Sequence, residues 1–278
     1  MLHTAEYKQI GKLIASCRET EFCARLAEWI RTDAAVETLT MVVYRGSEAP
    51  IHLYDDFRNE TARAGMITYL TSTYVLNAFF QRHQTGLPSG VYRIRDLAPD
   101  AYLQSELYKG YEVVLSEREE IGYVTEGWPQ GLEEIDIAVS LGNLVTAEIG
   151  LYRATDQGGF TDEAIGLLEA RMPVIEAAFH AFWSYSGSRP ASEDKARRPN
   201  ARMGFETFAA CLTFREREVV TMILRGHSSE SISYNLGISI TTVKTHRKRA
   251  YEKLNISTQA ELLSLFLDHV QTIQAAQQ

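Results

Sequence analysis

The chain has 278 residues, 45% hydrophobic and 23% charged, with a formal net charge of −8. This composition excludes disordered, collagen-like and disulfide-rich classes, and at about 150 residues per domain the length fits one large domain or two smaller ones. The acidic balance argues against nucleic acid as a partner, but only as an average over the whole chain.

In chain order, helical periodicity covers about Tyr7 to Cys17 and Glu21 to Arg31. Strand-like runs follow at Thr38 to Arg45 and Pro50 to Asp56, joined as a hairpin by RGSEA. A long helical pattern spans about Glu60 to Arg82, and GVYRIRDL reads as a third strand. A helix is predicted near Asp100 to Tyr111, then strands at Ile121 to Thr125, Asp136 to Leu141 and Val145 to Arg153. A final amphipathic helix runs from Thr161, its expected N-cap, to Ser184, with Pro173 expected to kink or interrupt it. The hairpin-like spacing of the last strands predicts an α+β unit, an antiparallel sheet with flanking helices.

The N-terminal stretch MLHTAEYKQIGKLIAS lacks the apolar core of a signal peptide. The uncharged run Ala64 to Gln81 is broken by Thr, Ser and Asn, so it reads as a buried helix rather than a span of about 20 apolar residues. Cys17, Cys23 and Cys211 form no C-x-x-C pair, which fits a reducing cytoplasm. Cys17 and Cys23 are expected in the core rather than as a thiol sensor. The expectation is a cytoplasmic protein with no membrane contact.

Tyr185 to Gly204, poor in large apolar residues and holding two prolines and two glycines, reads as a linker between residues 1–184 and 205–278. The net charges of these three segments are −12, +3 and +1 in chain order. Beyond the linker four helical patterns follow. The first starts behind a capping box at Thr213 and Glu216, carries Val219, Val220, Ile223 and Leu224 on one face, and ends at Gly226. A short second helix, about Ser229 to Leu236, stops at Gly237. The third runs from Ile240 to Leu254 behind Ser239, and the fourth opens at a second capping box, Thr258 and Glu261.

Ile232, Leu236, Ile238 and Val243 are placed to pack the second and third helices across the Gly237-Ile238-Ser239 turn, a helix-turn-helix arrangement. On the third helix Ile240, Val243, Ala250, Tyr251 and Leu254 form the expected seam. Thr241, Thr245, Lys248 and Arg249 point away from it, with Lys244 at its edge. A buried seam behind a basic, hydroxyl-bearing face suits a DNA groove.

L-T-x-R-E-x-E-V from Leu212, G-x-S-S-E-S-I from Gly226, L-G-I-S-x-x-T-V-K-T-H from Leu236, and Lys253-Leu254 resemble the LuxR-type DNA-binding domain over about sixty residues. The resemblance implies a sequence-specific transcriptional regulator that binds a dyad operator in double-stranded DNA as a homodimer, with RNA polymerase a candidate further partner. It implies DNA contacts from Thr241, Thr242, Lys244, Thr245, Lys248 and Arg249, His246 on a phosphate, and Val243 packed near the reading surface. Glu216 would hold helices together. Phe214 replaces the usual proline and Ser233 the usual alanine. Arg247 falls where an aliphatic residue is common, and an ion pair to Glu216 or Glu218 is the sharper expectation for it.

TYVLNAFFQ (from Thr73), YRIRDLAPDAYLQSELYKGY (from Tyr92), EEIGYV (from Glu119) and IGLYRATDQGGFTDEAIGLLE (from Ile149) resemble the GAF-like sensory domain of a branch of LuxR-type regulators. The Trp, Tyr, Asp-Pro and Trp pattern of the acyl-homoserine-lactone receptor domain is not found, and a phospho-acceptor receiver does not fit a chain that opens on a helix. The resemblance implies a small-molecule effector. An apolar, aromatic pocket with a few polar groups would draw on Tyr69, Tyr74, Asn77, Phe80, Tyr92, Tyr108, Tyr111 and Trp128, with Arg95 and Asp96 as a polar clamp. The alternative is a ligand-independent regulator whose N-terminal part is a dimerisation or protein-interaction module. Catalytic motifs and metal-ligand His spacing are absent from the sequence, so no enzyme activity, metal or cofactor is expected.

Overall fold

The computed structural model describes residues 4–58, 60–71, 73–97, 131–186, 208, 210–225 and 227–275. The first unit contains helices α1 (Thr4–Ala15), α2 (Phe22–Ala34), α3 (Glu60–Thr71), α4 (Ala78–His83), α5 (Ile94–Leu97) and α6 (Asp162–Ser186). Its strands are β1 (Thr38–Arg45), β2 (Ile51–Asp55), β3 (Gly90–Arg93), β4 (Leu132–Gly142) and β5 (Val145–Ala154). They form one antiparallel sheet in the order β2-β1-β5-β4-β3.

Side chains alternate across a strand, so the register sorts the sheet into two unlike faces. Leu39, Met41 and Val43 of β1, Ile135, Ile137 and Val139 of β4, and Ala147, Ile149 and Leu151 of β5 share one face. They pack against Leu13, Phe22, Leu26, Ile30, Leu168, Ile175 and Phe179 of α1, α2 and α6. Each Leu, Ile, Val, Met or Phe among them contributes about 1.5–3 kcal/mol on full burial. Phe22 stacks on Phe182 at 4.4 Å between ring centroids. Cys17 and Cys23 are buried in this layer, and burial pushes the Cys23 thiol up to about 12, so both serve packing. Buried Arg171 of α6 donates to the carbonyls of Trp29 and Ile30 near the end of α2 and pairs with Glu6 of α1 at 3.3 Å.

The opposite face carries Tyr44, Thr146, Glu148, Gly150, Tyr152, Glu134, Asp136 and Tyr92. Helix α4 lies against it, the Tyr44 ring standing 5.8 Å from Phe79 and 5.5 Å from Phe80.

Three expectations change. The stretch Glu60 to Arg82 is not one helix: α3 ends at Thr71, a 3-10 turn covers Thr73–Leu76, and α4 starts afresh. Asn77 is the reason, because its side chain accepts from the Phe79 N–H at 2.6 Å and so caps a new N-terminus. β3 ends at Arg93, and Ile94 to Leu97 turn helical, which breaks the alternation expected through Asp96. Pro173 does not interrupt α6; it stands on the exposed side with Glu169, whose carbonyl loses its helical donor where water reaches it. The helix expected near Asp100 to Tyr111 and the strand at Ile121 to Thr125 lie outside the described residues.

The second unit is helical: α7 (Phe214–Leu224), α8 (Ser229–Leu236), α9 (Ile240–Leu254) and α10 (Gln259–Ala275). Both capping boxes form, at Thr213 with Glu216 and at Thr258 with Glu261. Phe214 in place of proline leaves the start of α7 intact at its first position. Its core joins Val219, Val220, Ile223 and Leu224 to Ile232, Val243, Ala250, Leu262, Leu263 and Phe266.

Candidate functional site

Gly237 ends α8 in the left-handed conformation (φ 63°), which a side chain would strain, and its N–H bonds back to the carbonyls of Ser233 and Tyr234. Two residues later the Ser239 hydroxyl accepts from the Thr242 N–H at 3.1 Å and opens α9. This fixed turn sets the face that α9 presents. Thr241, Lys244, Thr245, Lys248 and Arg249 are exposed, while Val243 and Ala250 are fully buried behind them. Lys248 reaches Glu252 only at 3.9 Å, a surface pair of about 0–1 kcal/mol. Lys244 and Arg249 have no carboxylate partner among the described residues. His246 is half-buried, and the Thr242 hydroxyl is bonded to Ser239 at 2.8 Å.

Val243 stands buried in the seam, as expected, and so packs behind the exposed face instead of contributing to it. Two sequence expectations are corrected here. Ile240, expected in the seam, is 41% exposed: at the first helical position its side chain leans back past the helix start, away from the seam. Arg247 pairs with neither expected acid. Lys253 holds Glu216 at 2.6 Å, and Arg215 holds Glu218 at 2.9 Å.

Glu216 is only 3% exposed, yet each of its roles is filled. It accepts from the Lys253 ammonium and from the Thr213 N–H at 2.8 Å, joining α7 to α9. The Lys253 hydrogen bond, first among the causes, brings its carboxyl down to about 2.

The polar sheet face is the second candidate. Glu134, Asp136 and Glu148 are all buried, at 4%, 0% and 5% exposure. The Tyr44 hydroxyl donates to Glu148 Oε2 at 2.6 Å and itself bonds to the Tyr69 hydroxyl. The Tyr152 hydroxyl donates to Glu134 Oε1 at 2.5 Å. The second oxygen of each glutamate, Glu148 Oε1 and Glu134 Oε2, is buried with no hydrogen-bond partner among the described residues. Burial, then the neighbouring Glu134 charge, pushes Glu148 up to about 8. Burial also raises Tyr69, and all three carboxylates add to that rise, which puts its hydroxyl within their electrostatic reach. Buried His83 bonds the Thr146 hydroxyl at 2.8 Å and the Gly46 carbonyl at 3.1 Å, and burial lowers its pKa.

Of the residues expected to line a pocket, Tyr69, Tyr74 and Phe80 come together over this face, Tyr74 edge-on to Phe80 at 4.9 Å. Tyr92 lies opposite Asp136, its hydroxyl donating to the Pro88 carbonyl at 3.1 Å. Asn77 is occupied as a helix cap. Asp96 is exposed and stands on the helix α5 rather than on a strand. The Arg95 side chain, Tyr108, Tyr111 and Trp128 lie outside the described residues. Glu134, Asp136 and Glu148 were missed because carboxylates alternating with Ile and Val read as a solvated strand face.

A polar contact links the two units: Gln81 of α4 donates to the Arg225 carbonyl at the end of α7 at 3.3 Å. Among the described residues no helix is long and apolar enough to cross a membrane, and no group of His, Cys, Asp or Glu could hold a metal ion.

Residues 210–266 match the model of GerE, bacterial regulatory proteins of the luxR family. A putative HTH-type transcriptional regulator in the exeN 3′ region of Aeromonas salmonicida is 29% identical over 202 residues, 70% of this chain and 94% of its own length. The transcriptional regulatory protein MctR of Rhizobium johnstonii is 45% identical over 58 residues, 21% of this chain and 27% of that relative. Among solved structures, the VqsR LBD domain from Pseudomonas aeruginosa covers 66% of this chain and 99% of its own, at 19% identity and a TM-score of 0.49. Escherichia coli SdiA covers 96% and 98%, at 13% identity and a TM-score of 0.37.

Proposed function

Because the chain carries a luxR-family helix-turn-helix domain and its relatives are transcriptional regulators rather than enzymes, we propose that it binds a dyad operator as a dimer through α9, under the control of a small molecule held by the GAF-like N-terminal unit. On this reading residues 1–184 sense, 185–204 link and 205–278 read DNA in the cytoplasm, where RNA polymerase is a further partner. The observation that carries the DNA-binding half is the α9 face, where Thr241, Lys244, Thr245, Lys248 and Arg249 stand exposed on a helix fixed from behind by Val243 and Ala250. Hydroxyls near the helix start suit base edges, and Lys and Arg neutralise phosphates. The acidic first unit repels DNA, so contact is confined to the helical unit. A single small unit binds weakly, and pairing on a dyad supplies the missing affinity.

Support for ligand control comes from the buried, incompletely bonded carboxylates over which Tyr69, Tyr74 and Phe80 converge. That face touches α4 through Tyr44 and Phe80, and α4 touches α7 through Gln81. Occupancy that shifts α4 therefore changes where the reading unit sits, and operator and ligand affinities change by the same factor.

The test selects binding sites from random duplex DNA with the full chain, then titrates the selected site at two salt concentrations. Lys244→Ala and Arg249→Ala are expected to weaken binding, each lowering the salt slope by about one unit where a phosphate contact is lost. Unchanged affinity in both variants would rule out α9 as the reader.

A further inference from the structure

From the polar sheet face we infer that the effector is an organic cation with N–H donors, a protonated amine or a guanidinium, seated between Glu134 and Glu148 on one side and Tyr69, Tyr74 and Phe80 on the other. The inference rests on the ligand control proposed above and names its chemistry.

A buried acceptor without a donor is destabilising, and Glu148 Oε1 and Glu134 Oε2 are two such acceptors on one face. The phenols of Tyr44 and Tyr152 are already spent on the other oxygen of each glutamate, so they cannot supply the missing bonds. No Lys or Arg of the described residues pairs with either glutamate. The charge that would make this face whole is positive, and it must arrive with hydrogens to donate. A neutral ligand brings no positive charge to the acids, and an anion adds repulsion. Gly150, opposite Asp136, makes room for the Thr40 and Tyr152 hydroxyls beside the acids, since a Cβ there would come within 2.8 Å of both. A metal ion fits less well, since the described acids do not group as a metal site.

The experiment is thermal unfolding of the full chain with n-butylammonium, 1,4-diaminobutane or butylguanidinium, against n-butanol and butyrate at matched ionic strength. The cations are expected to raise Tm by about 5–10 °C at a hundredfold excess over Kd, and the neutral and anionic probes to leave it unchanged. Glu148→Gln and Glu134→Gln are expected to abolish the cation response, since each replaces a carboxylate that would accept from the cation. A shift of equal size from n-butanol or butyrate, a cation response that survives Glu148→Gln, or a shift produced by Mg²⁺ or Ca²⁺ in place of the organic cations overturns the inference. If a neutral or anionic compound stabilises the chain and changes operator affinity, the cation assignment fails and ligand control stands. If no compound of any charge does either, both fail.

Discussion

Glu216 and Glu148 are both glutamates with almost no solvent-accessible surface, one close under the surface and one deep in the fold, and their carboxyls end at opposite extremes. In the helical unit Glu216 receives an ammonium and a backbone N–H, and its carboxyl falls to about 2. On the sheet Glu148 receives phenols but no cation, shares its surroundings with two further acids, and rises to about 8. The helical unit completes its buried carboxylate, whereas the polar sheet face leaves Glu148 Oε1 and Glu134 Oε2 without a donor among the described residues.

Removing the completed acid gives the largest expected effect. Glu216→Gln leaves Lys253 without its partner and weakens the Thr213 cap, and is expected to destabilise the helical unit by about 2–3 kcal/mol, read by chemical denaturation. If that variant is as stable as the parent, the contrast between the two glutamates collapses.

The second effect is one of pH, with opposite signs in the two units. Glu216 has its pKa depressed, so its contribution is present above the ordinary 4.5 and is lost as pH falls through about 2. Glu148 has its pKa raised, so its contribution is full below 4.5 and is lost as pH rises through about 8. The groups facing Glu148 are Tyr44 of β1, Tyr69 of α3 and the acids Glu134 and Asp136 of β4, with His83 of α4 against the Tyr44 ring. None brings a positive charge: the tyrosines are raised, and His83 is lowered by burial. The Tm of the unliganded chain is expected to fall between pH 5 and 8, and Glu148→Gln to flatten that fall. An equal slope in the variant would place the titrating group elsewhere.

The smallest effect concerns how the two regions communicate. Gln81→Ala is expected to change stability by less than about 0.5 kcal/mol, as surface changes generally do. It should alter the ratio of operator affinities with and without ligand, measured by anisotropy. A ratio that matches the parent would remove this contact from the coupling.

Signals that act over three or four residues were legible in the sequence. The two capping boxes, the Gly237 turn and the strands β1, β4 and β5 needed only local pattern, and they stand close to where they were expected. Long-range partners were not. Lys253 lies thirty-seven positions beyond Glu216, and the sequence favours Arg247 for the pair because spacing along one helix says nothing of the facing helix. The Asn77 cap was visible in the sequence, but the apolar periodicity around it concealed the break before α4. The sheet misled most. Alternation of Glu134 and Asp136 with Ile135 and Ile137 reads as one buried face and one wet face, because alternation cannot tell water from a second layer of protein. Here both faces are covered, and the polar one is the candidate site.

The most direct measurement is a ¹³C NMR titration of the glutamate side-chain carboxyls in the full unliganded chain, with Glu148 and Glu216 assigned from their Gln variants. The account predicts one carboxyl titrating near 8 and one near 2. Both titrating near 4.5, the ordinary glutamate value, would contradict it.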